Sequence, residues 1–163
     1  MLHNAGANAK GSIVIFRDAE CPVSQRYSPR IAELEQRYMS KGWQFIHVDI
    51  TPHSKAEALA DVAKYGLKGR VVLDTAKRLV GALRASSSAE AFVIDAKGTL
   101  RYRGSIDDQY GIGYHKDKAK DLWLIDAVER VAAGRDVVVP RTDASGCMFD
   151  VDLDTTGTPR PVT

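Results

Sequence analysis

The sequence predicts an α/β fold: a mixed β-sheet with helices on both faces and an extended C-terminal tail. Three observations carry that reading. Short apolar, β-branched runs alternate with stretches of helical periodicity through the first half of the chain. A hairpin signature and one more amphipathic stretch follow. At 163 residues the chain has the length of one domain with a substantial core.

The elements follow in order. "SIVIF" (12–16) reads as a buried strand. Tyr27, Ile31, Leu34 and Tyr38 then recur at helical spacing and line one face of a helix that stops at Gly42. "WQFIHVDI" (43–50) is a second strand. Ser54 and Glu57 have the spacing of a capping box for a helix that runs to about Tyr65 and closes at Gly66. "RVVLD" (70–74) is a short strand and "AKRLVGALRA" (76–85) a short helix. "EAFVID" (90–95) and "TLRYRGS" (99–105) flank the turn "AKG". A last helix is expected over 117–133, with Leu122, Ile125, Val128 and Ala132 on its inner face and Gly134 as its stop. Crossover helices imply parallel strand pairs, and the late hairpin is expected to add antiparallel edge strands. The domain organisation that follows is an N-terminal extension (1–11), one domain (12–135) and an extended tail (136–163) rich in Pro, Thr and Asp that carries Cys147.

Composition sets the bounds on function. The chain is 44% hydrophobic and 27% charged, ordinary values for a globular protein. A net charge of +2 gives no electrostatic case for nucleic acid or an anionic membrane. No apolar run approaches the roughly 18 residues of a membrane span. The opening "MLHNAGANAKG" has no apolar signal-peptide core, which fits a cytoplasmic chain or one whose export signal has been removed. Two cysteines make neither a disulfide framework nor a four-cysteine zinc site, leaving one bridge or two free thiols.

The most informative stretch is "FRDAECPVSQRY" (16–27), where Cys21 falls between a strand and a helix. Cys21 is placed at the helix N-cap with Pro22 at N1, where the missing N–H costs nothing. Unpaired backbone N–H groups and the positive end of the helix dipole then face the sulfur. That environment favours a nucleophilic thiolate, while Asp18 and Glu20 oppose it. Ser24, one turn on, can donate a hydrogen bond to the sulfur but cannot form a disulfide with it. Pro29 is expected to bend the helix. The competing reading is a buried, inert cysteine.

"FRDAECPVSQRYSP", "VVLD", "EAFVIDAKGTLRYRGSIDDQYGIGY" and "AAGRDVVVPRTDASGC" occur in the order of the thioredoxin-like redoxin domains of the thiol-specific-antioxidant, or alkyl hydroperoxide reductase, group, which residues 12–150 resemble. The resemblance implies a thioredoxin fold and a thiol-based redox role without a cofactor. Cys21 matches the attacking cysteine, Ser24 stands where a second cysteine usually lies, and Pro29 matches the helix-kinking proline. The "GC" that contains Cys147 matches the end of these domains and implies a resolving cysteine on a flexible, exposed tail; a structural half-cystine or an incidental thiol is the alternative. The partners implied are protein thiols or disulfides, or an electron-donating reductase. Relatives are often exported and sometimes fused to other redox modules, which points to the periplasm.

Two departures separate this chain from that pattern. Ala89 stands where thioredoxin-like proteins carry a cis-proline, and cis bonds are essentially confined to proline, so that loop is expected to take another shape. Asp18 holds the place three residues before the cysteine where peroxidases carry Thr or Ser, and its charge would repel a developing peroxide anion. Thiol–disulfide exchange therefore ranks first, a peroxiredoxin-like peroxidase second, and a non-catalytic module that docks a partner or handles a metal third.

The remaining candidates are weaker. His47, His53 and His115 form no compact ligand motif, and core or solvated histidines explain them better. "YGIGYH" (110–115) lacks the third glycine of a phosphate loop and reads as a turn or lid near the cysteine. Asp107 and Asp108 are neighbours whose side chains point to opposite sides of an extended chain, which suits loop fixing rather than paired catalysis. Arg26 and Arg30 could steady a thiolate but read first as surface residues. Trp43 and Trp123 read as core or interface anchors.

Overall fold

The structure, a computed structural model, describes residues 9–149. In chain order its elements are β1 (Gly11–Arg17), α1 (Pro22–Met39), β2 (Trp43–Asp49), α2 (Lys55–Lys64), β3 (Arg70–Leu73), α3 (Arg78–Leu83), β4 (Ala91–Asp95), β5 (Leu100–Gly104), the short pair β6 (Tyr110–Gly111) and β7 (Tyr114–His115), and α4 (Trp123–Ala132). The first five strands form one sheet in the order β3-β2-β1-β4-β5. β1 is buried along its whole length, and both of its faces carry apolar side chains. Ile13 and Ile15 join a core with Tyr27, Ile31 and Leu34 of α1 and Leu124 and Val128 of α4. Val14 and Phe16 point the other way, into a second core that includes Val80 of α3.

β1 pairs parallel with β2, and β2 with β3. β4 runs antiparallel to both β1 and β5, so only β5 of the hairpin is an edge strand. The expectation that both hairpin strands lie at the edge is corrected on this point. The short α3, with left-handed backbone at Lys77 and Arg84 on its two ends, connects β3 to β4.

The last helix is shorter than its apolar spacing predicts. Asp108 accepts hydrogen bonds from the N–H groups of Lys120 (2.7 Å) and Asp121 (3.0 Å). Those residues stay in the loop, and α4 begins at Trp123 with Leu122 as an exposed N-cap. The buried face is Leu124, Ala127 and Val128 rather than the face that begins at Leu122. The capping box of α2 forms as expected between Ser54 and Glu57. Trp43 is buried in the core and Trp123 packs partly against it. Among the described residues, no helix is long and apolar enough to cross a membrane.

From Gly134 to Phe149 the chain runs back across the molecule without helix, touching it through isolated bridges at Arg141 and Met148. The rest of the expected tail, 150–163, and most of the expected N-terminal extension lie outside the described residues.

Candidate functional site

β1 delivers the chain to the start of α1 through a loop of three residues, Asp18 to Glu20. That loop is held at every step. The Cys21 N–H donates to the Asp18 carbonyl (3.1 Å), the Ala19 N–H to Thr51 Oγ1 (2.9 Å), and the Glu20 N–H to Asp18 Oδ1 (2.9 Å). The Asp18 carboxylate is thus engaged with its own loop. Cys21 is the N-cap of α1 with proline directly after it, as the sequence predicts. Pro29 lies within α1, which continues to Met39.

The Cys21 sulfur is bonded to Cys147, 126 residues away, with their Cα atoms 6.0 Å apart. Cys21 is almost fully buried and Cys147 partly so. The expected flexible, exposed thiol is therefore a half-cystine packed against the core. Two donors face the Cys21 sulfur: the Ser88 hydroxyl at 3.0 Å and the Cys147 N–H at 3.3 Å. Ser24, the donor expected from sequence, is turned away. Its buried hydroxyl accepts from the Asp18 N–H at 3.3 Å, which fixes the loop rather than the sulfur.

Ser88 lies in "SSSAE", just before β4. No peptide bond among the described residues is cis. In place of a cis-proline, Ala89 adopts a left-handed conformation (φ 58°), a costly state for a residue with a Cβ. It is held by the Ala89 N–H donating to the Phe16 carbonyl at 2.8 Å. Glu90 anchors the other end of this segment: it accepts from the Ser86 N–H (2.7 Å) and pairs with Arg103 (2.8 Å). Ser86 and Ser88 therefore present backbone groups to the returning tail. The Ser88 N–H donates to the Cys147 carbonyl and the Phe149 N–H donates to the Ser86 carbonyl, both at 2.9 Å. Ser87 and Met148 form the bridge between these bonds. A Cβ on Gly146 would lie 1.9 Å from the Ser88 carbonyl oxygen. Gly146 is required for close approach of two backbones.

On the far side of the disulfide lies an open cleft of about 370 Å³, whose walls include Pro22, Val23, Arg26, Ile112, Tyr114 and Cys147. The "YGIGYH" stretch forms the β6–β7 pair along that cleft, with Ile112 and Tyr114 exposed. Its base is fixed by Tyr27, whose hydroxyl donates to Asp107 Oδ1 (2.8 Å) and accepts from the Tyr110 N–H (3.1 Å). Burial pushes the Tyr27 hydroxyl far above its ordinary pKa, so it remains protonated. Arg30 closes the cluster on Asp107. Asp108 turns the opposite way, to Lys116 Nζ at 2.6 Å. That ion pair, with the two loop N–H groups, pulls its carboxyl down to about 2.

His47, His53 and His115 lie apart from one another. His47 is buried against Glu35, whose carboxylate also accepts from the Lys68 (2.7 Å) and Gly69 (2.8 Å) N–H groups. Burial raises the Glu35 carboxyl, but the hydrogen bonds from His47 and those two amides outweigh it and the net shift is downward. His53 binds Asp49 at 2.9 Å, and His115 lies on the surface. Among the described residues no three His, Cys, Asp or Glu side chains converge as metal ligands. Ser88 and Glu90 have no local signature as site residues; the serine triplet beside the expected proline position is the one sign of them in the sequence.

Solved structures share this fold. A hypothetical protein from Sinorhizobium meliloti 1021 is similar with a TM-score of 0.75 and 21% identity over 86% of this chain and 79% of its own. A thioredoxin-like protein in its oxidised form is similar with a TM-score of 0.60 and 19% identity over 78% of this chain and 81% of its own. A secreted disulfide oxidoreductase of Mycobacterium tuberculosis, described as homologous to DsbE of E. coli, has a TM-score of 0.54 and 14% identity over 77% of this chain and 81% of its own. No curated protein matches the sequence. The fold is thus thioredoxin-like, a fold shared with thiol redox proteins. The AhpC/TSA family model covers residues 2–103, a span that includes Cys21, α1 and the Ser88 segment, and by that match the chain belongs to the AhpC/TSA family.

Proposed function

We propose that this protein is a thiol–disulfide oxidoreductase in which Cys21 is the nucleophile and Cys147 the resolving thiol. The observation that carries this reading is the bond between two cysteines 126 residues apart, one of them heading a helix and facing two hydrogen-bond donors. In the reduced state the Cys21 thiolate attacks one sulfur of a substrate disulfide. A Cys21–substrate disulfide forms, and the departing substrate thiolate takes up a proton. The Cys147 thiol then loses its proton and attacks the Cys21 sulfur, which expels the second substrate thiol. Two electrons have passed to the substrate, whose two thiolates take up the proton of Cys147 and one from solvent, and the Cys21–Cys147 disulfide is the product form. An external dithiol reductant restores the pair by the reverse exchange. Ser88 and the Cys147 N–H support the step in which Cys21 departs as a thiolate, because charge-assisted hydrogen bonds are the strong ones.

Reduction of a protein disulfide such as that of insulin, with dithiothreitol as donor, tests this reading. Cys21→Ser is expected to abolish turnover. Reduced Cys147→Ser, mixed with the substrate disulfide after dithiothreitol is removed, is expected to accumulate a Cys21–substrate mixed disulfide, identified by peptide mapping. Full activity in Cys21→Ser, or oxidation that spares Cys147 in the native chain, would overturn it. Peroxide consumption in place of disulfide reduction would assign the same cysteine to a peroxidase.

A further inference from the structure

We propose that residues 146–149 occupy the seat of the substrate, so that the tail sequence Gly-Cys-Met-Phe is a template for the segment this protein recognises: an extended peptide with glycine before its cysteine and an aromatic residue two places after it. The inference rests on the exchange reading above and adds a partner to it. The tail does more than bring a thiol to Cys21. It pairs as a strand with 86–88 through two backbone hydrogen bonds of 2.9 Å around the Ser87–Met148 bridge, the mode by which an added peptide extends an exposed edge.

Side-chain alternation along this short strand defines the chemistry at each position. Cys147 points inward to the Cys21 sulfur. Met148 points outward and is 79% exposed, so its place imposes no selection. Phe149 turns inward again, with its ring centroid 5.9 Å from that of Phe16 and its side chain against the second core. Before the cysteine, the Ser88 carbonyl leaves no room for a Cβ. The seat therefore accepts only glycine at that position, a small-to-large change there being one that backbone must yield to. Cys21 has no second route to a substrate sulfur in this state, since it is 2% exposed with the tail in place. A substrate segment reaches it by taking the tail's hydrogen bonds, and Cys147 resolves the mixed disulfide by taking them back.

The test uses the full chain with Cys147→Ser, alone and combined with Gly146→Val, which drives the tail off its seat. The probes are five-residue peptides whose cysteine carries a coloured aromatic thiol in disulfide linkage. Attack by Cys21 on the peptide sulfur breaks that bond, releases the coloured thiolate and joins the peptide to Cys21. With the double variant, Ser-Gly-Cys-Met-Phe is expected to react roughly tenfold or more faster than Ser-Val-Cys-Met-Phe or Ser-Gly-Cys-Met-Ala, the discrimination of about one good contact. With Cys147→Ser alone, the tail competes and the preferred peptide slows. Equal rates for the three peptides, or a preferred peptide no faster on the double variant, overturn the template while leaving the exchange reading intact. If Cys21 fails to react even with the symmetric aromatic disulfide, the exchange reading itself falls, and the template with it.

Discussion

At the residue scale, the chemistry of the site turns on a serine rather than on the position where a second cysteine is customary. The Ser88 hydroxyl donates to the Cys21 sulfur (3.0 Å) and accepts from the Cys147 N–H (3.0 Å). Its loss removes a donor from the sulfur that departs when the disulfide is opened. Ser88→Ala is expected to slow reduction of the bridge by dithiothreitol roughly fivefold, the rate equivalent of a hydrogen bond worth ~1 kcal/mol. The adjacent Ser87 makes a stringent control, because its buried hydroxyl has no hydrogen-bond partner among the described residues. Ser87→Ala is expected to leave the rate unchanged. Stopped-flow reduction of the three proteins, quenched with an alkylating agent, decides the matter, and equal rates for Ser88→Ala and wild type would sink it. Cys21 and its N-cap position were legible in the sequence because strand, proline and helical spacing are local signals. Ser88 was not, because it reaches the sulfur across 67 residues of chain through a left-handed Ala89 that no local pattern demands.

At the element scale, the loop between β5 and α4 is built on two adjacent carboxylates that face apart. Asp107 fixes Tyr27 and Arg30, while Asp108 holds Lys116 and the N–H groups of Lys120 and Asp121. The alternation of an extended chain made that division legible, whereas the capture of 120–121 by Asp108 hid the true start of α4 from any count of apolar spacing. The Asp108 carboxyl falls from 3.8 to about 2 on folding, chiefly through Lys116. A carboxyl lowered in the folded state contributes stability that is fully present above its unfolded value and lost as pH falls through its folded one. The loop is therefore expected to loosen between about pH 4 and pH 2. Amide exchange or acid unfolding followed at 105–122 measures this, and Asp108→Asn is expected to flatten the response in that window. An identical acid response in the variant would assign the transition to other carboxylates. Helix α2 was legible for a complementary reason: its capping box needs only Ser54 and Glu57, three residues apart, whereas the direction of β4 is set by pairing with β1, far back in the chain.

At the scale of the whole molecule, one covalent bond ties the head of α1 to the segment that follows α4. A bridge that closes a loop of 126 residues contributes up to about 5 kcal/mol in the chain-entropy account. Reduction is expected to lower the melting temperature and to release protection at 86–88 and 145–149, while β1, β2 and β4 stay protected by their two cores. Hydrogen exchange of oxidised and reduced protein tests that division, and loss of protection across β1 would mean that the sheet itself depends on the bond. The tail has a second hold that reduction leaves alone. The Arg103 N–H donates to the Pro140 carbonyl (3.0 Å) and the Thr142 N–H to the Arg103 carbonyl (3.1 Å). Thr142 sits so close to β5 that a Cβ on Gly104 would fall 2.2 Å from its hydroxyl oxygen. β5 is the outer strand on that side of the sheet, and an uncovered outer strand invites pairing with other molecules. Residues 140–142 take up hydrogen-bonding groups that would otherwise seed strand-to-strand aggregation. They do so whether the thiols are oxidised or reduced, because none of these bonds runs through a cysteine.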